Sequence, residues 1–257
     1  MLTQQEFRGT PMSDALMDLA QEMEKRQMPP ATLNVIGGFA MMLRGYRQAG
    51  DITDIDYVGI NLYKDLNALS HEIGLKHKME PGWINNDGML VGDSMESFEL
   101  STGKLHFDHA LSIGKITINV LDERDLLRLK VISADTAMTE MDATGEYARR
   151  KDFADIKALM DATGMIPDDI RNEFGDYILC HPDTIELITT IYEYGPEAAT
   201  EMIDKRSEEL RKNRMTTRAS SPYVENLMDQ LMSTFKKVQL SEETLAFAAE
   251  KKTDLEQ

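Results

Sequence analysis

The spacing of apolar residues changes near Asp122, and that change restricts the fold more than any other feature of the chain. Before it, short β-branched or apolar runs alternate with helical stretches. LNVIGG, Leu33 to Gly38, suits a buried strand entering a tight turn, and FAMMLRGYR after it carries helical spacing. DIDYVGINL, Asp54 to Leu62, reads as a second strand and DLNALSHEIG as a helix, while SFEL, KLHF and KITINVL (Lys115 to Leu121) read as three more strands. Upstream, Ser13 to about Gln27 is amphipathic, with Ser13 able to cap it and Pro29–Pro30 to stop it. Residues 76–96, rich in Gly, Asn and Asp around Trp83, carry no readable period. From Asp122 onward every segment is helical: DERDLLRLKVISA, KDFADIKALMDAT, then stretches near 168–180, 183–193, 197–213, 222–236 and 241–252. Mixed strands and helices followed by helices alone predict an α+β fold, a mixed sheet flanked by helices with an all-helical C-terminal region. The expected division is 1–165 and 166–257, at Gly164–Pro167.

Composition limits the function classes. The 257 residues suit one large or two modest domains, and 42% hydrophobic with 28% charged residues permits a packed core. A formal charge of −17 excludes a protein that coats nucleic acid by bulk electrostatics, although it permits a locally basic site. A single cysteine, Cys180, makes neither an intramolecular disulfide nor a cysteine-rich zinc site. The first residues are charged throughout and lack a signal peptide's apolar core. No apolar run approaches the roughly 20 residues that a spanning helix needs. The expectation is a soluble, acidic, cytoplasmic protein with no membrane partner and an open oligomeric state.

Three pieces of the sequence carry chemistry. Gly37–Gly38 join a strand to a helix, where glycine permits left-handed backbone and close approach, and where the helix start presents N–H groups to an anion. A phosphate cradle and a plain tight turn both satisfy that pattern. Asp54 and Asp56 stand at i and i+2, which on a strand puts both carboxylates on one face, about 6–7 Å apart. Such a pair repels itself unless a cation sits between, and its hard oxygens suit Mg²⁺ together with phosphate oxygens; alone, Asp-x-Asp also describes a turn or a solvated face. The pair follows the double glycine by 16 residues, on the next strand. Lys130 and Asp152, 22 residues apart, form the third piece. Lys130 lies amid Leu126, Leu127, Leu129, Val131 and Ile132, poor surroundings for an ammonium that reaches neither carboxylate nor phosphate. Snorkelling is the alternative for Lys130 and an N-cap role for Asp152, which shares a helix face with Asp155.

Taken in order, GGFAMMLRGYR…TDIDYVG, GWINND, LLRLKVISA and RRKDFADIKALM resemble the minimal nucleotidyltransferases of the polymerase-β-like superfamily. The nearest likeness is to the abortive-infection AbiEii-type toxin branch and a neighbouring group of bacterial proteins of unknown function. The likeness covers residues 33–164. It implies a nucleotidyltransferase fold in which Gly37 and Gly38 cradle a triphosphate and Asp54 and Asp56 bind Mg²⁺. It further implies that Lys130 contacts phosphate, that Asp152 serves as acidic partner or base, and that Arg47 neutralises the nucleotide; Thr53 keeps the family's threonine before the acidic pair. The implied reaction moves NMP from an NTP to an RNA end, such as that of a tRNA, or to a protein hydroxyl, within a toxin–antitoxin system. Two features depart from the family. Asn119 stands where many members carry a third carboxylate, with Asp122 just beyond, and residues 48–52 form extra loop. They favour the alternative of a catalytically silent protein that binds a nucleotide or partner.

Weaker signals remain. Lys205 to Arg218 holds six basic and two acidic residues, which suits either a grip on RNA phosphates or a solvated helix face. His106 and His109 flank Asp108 without zinc spacing and are expected at a strand-end surface. Trp83 is expected to anchor a loop or core, with base stacking the alternative. The 18 methionines fit adaptable helix packing.

Overall fold

The computed structural model describes residues 9–48, 50, 52–58, 64–85, 105–179 and 181–220. The expected strand SFEL, the strand residues 59–62 and the helices at 222–236 and 241–252 lie outside the described residues. The chain divides into two compact units, Met1–Ile203 and Asp204–Gln257.

The first unit is an α+β assembly around a five-stranded mixed sheet. It opens with α1, Pro11–Lys25, whose Thr10 hydroxyl accepts from the Ser13 amide at 3.1 Å, so Thr10 and not Ser13 is the cap. Pro11 at the first helical position has no N–H to satisfy there. The strands are β1 (Ala31–Val35), β2 (Ile55–Val58), β3 (Ile84–Asn85), β4 (Phe107–Ile113) and β5 (Ile116–Leu121), in the order β3-β2-β1-β5-β4. β1 runs parallel to β5 and antiparallel to β2; β2–β3 is parallel and β4–β5 antiparallel. Leu33, Val35, Ile55, Ile116, Ile118 and Val120 are buried, and their alternation sets the core face. The expected strand KLHF is displaced: only Phe107 of that run is in β4, which continues through DHALSI. Polar residues and a register shift between His109 and Leu111 interrupt its alternation, which is why the strand does not declare itself in sequence.

Between strands lie α2 (Gly37–Arg44) and α3 (Lys64–Lys76), and after β5 come α4 (Glu123–Thr144), α5 (Asp152–Thr163), α6 (Pro167–Ile178), α7 (Thr184–Tyr194) and α8 (Pro196–Ser220). Asp122 is the N-cap of α4, its Oδ1 accepting from the Asp125 amide at 2.7 Å. α5 ends at Gly164 in the left-handed conformation, φ +70°, and Pro167 starts α6. α1 packs on α3, α2 on β2, β5 and α4, and α4 on α5 and α7. Trp83 is buried and its indole donates to the Ser70 carbonyl at 2.7 Å, so it anchors the core. No helix among the described residues is long and apolar enough to cross a membrane.

Candidate functional site

The site begins at the turn between β1 and α2. Ile36 is extended, and Gly37 takes φ +64°, a backbone that side-chain-bearing residues avoid. A Cβ at Gly37 would lie 2.5 Å from Asp56 Oδ2, and one at Gly38 would lie 3.2 Å from Arg47 Nη1. Both glycines thus leave space for the site's own side chains. No side chain caps α2, and its first turn holds no acid. Ile36, Gly37 and Gly38 line a cleft of about 320 Å³. Arg47 enters the same cleft just after Gly45 ends α2 in the left-handed conformation, φ +89°.

The next wall comes from the start of β2. Thr53 and Asp54 precede the strand rather than forming part of it, and Asp56 follows buried Ile55 within it. Asp54 and Asp56 are half-buried, and both line the cleft with Thr53. Their donor set is all oxygen, the chemistry Mg²⁺ selects, and water and phosphate oxygens can complete an octahedron around two carboxylates. These residues therefore fit the implied ion. Among the described residues no third His, Cys, Asp or Glu ligand atom gathers with theirs within 4.8 Å. Asn119 lies beside Asn34 in the β1–β5 register and donates from Nδ2 to Asn34 Oδ1 at 3.0 Å. Asp122, the other acid near that strand, caps α4.

α4 and α5 supply the third wall through three buried charges, Lys130, Asp152 and Asp155, which half-buried Arg47 joins. Lys130 Nζ lies 2.6 Å from Asp152 Oδ1 and 2.7 Å from Asp155 Oδ2. Arg47 grips Asp155 with two hydrogen bonds, Nε to Oδ1 at 2.8 Å and Nη2 to Oδ2 at 2.6 Å, and approaches Asp152 Oδ1 at 3.5 Å. Lys130 and Asp155 are about one-twentieth exposed and Asp152 not at all, so neither snorkelling nor N-cap duty describes the pair. The cap position of α5 belongs to Lys151, while Asp152 and Asp155 occupy the first turn, where the helix dipole favours carboxylates. Two cations and two anions make this cluster neutral by itself. Asp152 Oδ2 is buried without a hydrogen-bond partner; Arg149 Nη1 stands 3.7 Å from it. Nearby Tyr147 packs against Phe153 with the rings tilted by 38°, and its hydroxyl is likewise buried without a partner. Burial and the Asp152 charge both push its phenol above the usual range.

All eight residues marked by the sequence, Gly37, Gly38, Arg47, Thr53, Asp54, Asp56, Lys130 and Asp152, line this one cleft. Sequence reasoning put Asp155 only on the face of Asp152, without its role as partner to both Arg47 and Lys130. It also passed over Arg149 and Lys151, two cations on the cleft wall, although the basic run Arg149–Lys151 directly before Asp152 was the available signal. Elsewhere, His106, Asp122 and Asp125 bring one ligand atom each within 4.8 Å of the others, a grouping that spacing did not suggest. His106 is exposed, as expected of a strand-end residue. Scans of protein-family models, of curated proteins and of solved structures find no match to this chain.

Proposed function

We propose that the chain is a Mg²⁺-dependent nucleotidyltransferase with the minimal fold of the polymerase-β-like superfamily. It moves NMP from an NTP to an RNA end or a protein hydroxyl, as the AbiEii-like half of a toxin–antitoxin pair. One observation carries the reading: residues drawn from four separate stretches of sequence, each marked for a role in phosphoryl transfer, line a single cleft of about 320 Å³. Convergence of acids at the start of a strand, glycines from a strand–helix turn and a Lys–Asp pair from two later helices is what such chemistry requires and what a solvated acidic face does not.

Asp54 and Asp56 would hold the divalent ion, which when bound neutralises phosphate charge and aligns the α-phosphorus. Asp152 lines the cleft and its buried Oδ2 has no hydrogen bond to give up, so it would accept the acceptor hydroxyl's proton once the acceptor packs against it. The acceptor oxygen then bonds to the α-phosphorus while the bond from that phosphorus to the bridging oxygen breaks, and pyrophosphate leaves with the electron pair. Lys130 and Arg47 fix the other side of the carboxylate pair and so aim Asp152. The test is incubation with each α-labelled NTP, Mg²⁺ and total RNA or cell lysate, beside Asp54→Ala. Label should pass to RNA or protein with the wild type alone; transfer no greater than the variant's, for every NTP, sinks the enzymatic reading.

A second reading rests on the Asn34–Asn119 pair. An amide engaged with another amide cannot act as the third carboxylate, which favours a silent protein that binds nucleotide without transferring it. Mg²⁺-dependent NTP binding without label transfer to any acceptor supports that reading.

A further inference from the structure

The cations expected to meet phosphate are already engaged. Lys130 meets Asp152 and Asp155 at 2.6 and 2.7 Å, and Arg47 meets Asp155 at 2.6 and 2.8 Å. Drawing either toward a triphosphate would leave a buried carboxylate partly uncompensated, which is costly. With that cluster neutral, four charged residues remain on the cleft wall: Asp54 and Asp56 beside β2, and Arg149 and Lys151 at the start of α5. Arg149 is exposed, its side chain at 46%, and its contact with Asp152 is longer than a hydrogen bond, at 3.7 Å. Lys151 is exposed as well. Neither side chain is buried, and a swing to a ligand would cost Arg149 only its 3.7 Å approach to Asp152 Oδ2.

We infer that Arg149 and Lys151 grip the triphosphate of the nucleotide, while Arg47 and Lys130 position Asp152; this rests on the nucleotidyltransferase reading and assigns the phosphate contacts within it. The separation of charge is what a metal–polyphosphate ligand demands. Carboxylates on one wall take the divalent ion, and a guanidinium with an ammonium on another takes the anionic oxygens. Arg149 can offer paired N–H donors to two phosphate oxygens, and Lys151 adds a mobile point charge. A cleft of about 320 Å³ is of a size that admits a small ligand.

The test is calorimetric titration of the full chain with each NTP, the matching NMP and inorganic tripolyphosphate, all with MgCl₂. Wild type is compared with Arg149→Gln, Lys151→Gln, the double variant and Arg149→Lys. Each single Gln variant should weaken NTP and tripolyphosphate binding about ten-fold, the loss of one charge-assisted contact. NMP affinity should change little, and Arg149→Lys should recover part of the loss. That selectivity for the polyphosphate is a readout that simple misfolding would not produce, and both positions are exposed. A double variant that binds NTP as tightly as wild type overturns the inference and leaves the nucleotidyltransferase reading standing. A wild type that binds no NTP overturns both.

Discussion

The cleft beside β2 and the junction between β5 and α4 both gather carboxylates near basic groups, and they commit them differently. At the junction Asp122 Oδ1 accepts from the Asp125 amide, Asp125 Oδ2 from the His106 amide at 2.9 Å, and Asp125 Oδ1 from Arg128 Nη1. The ligand atoms lie close enough for a metal, yet these oxygens already serve a helix cap and an ion pair. In the cleft the spacing is looser, but Asp152 Oδ2 has no hydrogen bond and the two β2-side acids face a cavity. Closeness of acids is therefore a poor guide to a site. What separates the two regions is one buried oxygen, Asp152 Oδ2, that the fold leaves without a hydrogen bond, and a cavity for the acids to line.

The largest test of that contrast falls on the buried cluster. Lys130→Met leaves Asp155 with Arg47, and Asp152 with only the longer approaches of Arg47 and Arg149, and should cost about 3–5 kcal/mol in urea unfolding. A loss comparable to that of an exposed pair would mean the cluster is more solvated than its burial indicates. Gly37→Ala comes next: left-handed φ and a Cβ 2.5 Å from Asp56 Oδ2 should cost about 1–3 kcal/mol and displace that carboxylate. Thermal unfolding reads the first effect and Mg²⁺-dependent NTP binding the second. At the junction, Asp122→Ala should cost about 1 kcal/mol as a lost helix cap and leave nucleotide binding unchanged. If it abolished binding instead, the junction would belong to the site.

The smallest effect concerns Tyr147. Its folded-state pKa is raised, so its contribution to stability is full below the unfolded phenol's value of about 10 and falls as pH rises above it. Tyr147→Phe removes a buried hydroxyl that has no partner, so at neutral pH it should be neutral or stabilising by about 1 kcal/mol. The variant should also lose less stability than wild type between neutral and strongly alkaline pH. Denaturation midpoints across that range check both.

Much of the cleft's lining was readable in sequence because its parts are local. A strand, two glycines and a helix, then acids at i and i+2, have short-range periods and turn chemistry that need no tertiary information. Lys130 betrayed itself by an apolar setting that an unpaired ammonium cannot tolerate. The role of Asp155 was not readable, since it depends on α5 bringing its first turn against both α4 and Arg47, contacts made across 108 and 25 residues. β4 escaped for a different reason. Its run FDHALSI exposes polar residues and carries an irregular register, so the alternation that marks a half-buried strand is broken. The helices were the easiest elements to see, with ends displaced by a few residues where caps such as Thr10 and Lys151 lie outside the apolar pattern.

On the nucleotidyltransferase reading, the Asp54–Asp56 cleft, and not the β5–α4 junction, holds a divalent ion together with a nucleotide. Electron paramagnetic resonance titration of Mn²⁺ with NTP tests it directly on wild type, Asp56→Ala and Asp125→Asn. Protein-bound Mn²⁺ should appear in the wild type only when NTP is present, be lost in Asp56→Ala and be retained in Asp125→Asn. Ion binding that survives Asp56→Ala and disappears in Asp125→Asn would contradict that reading.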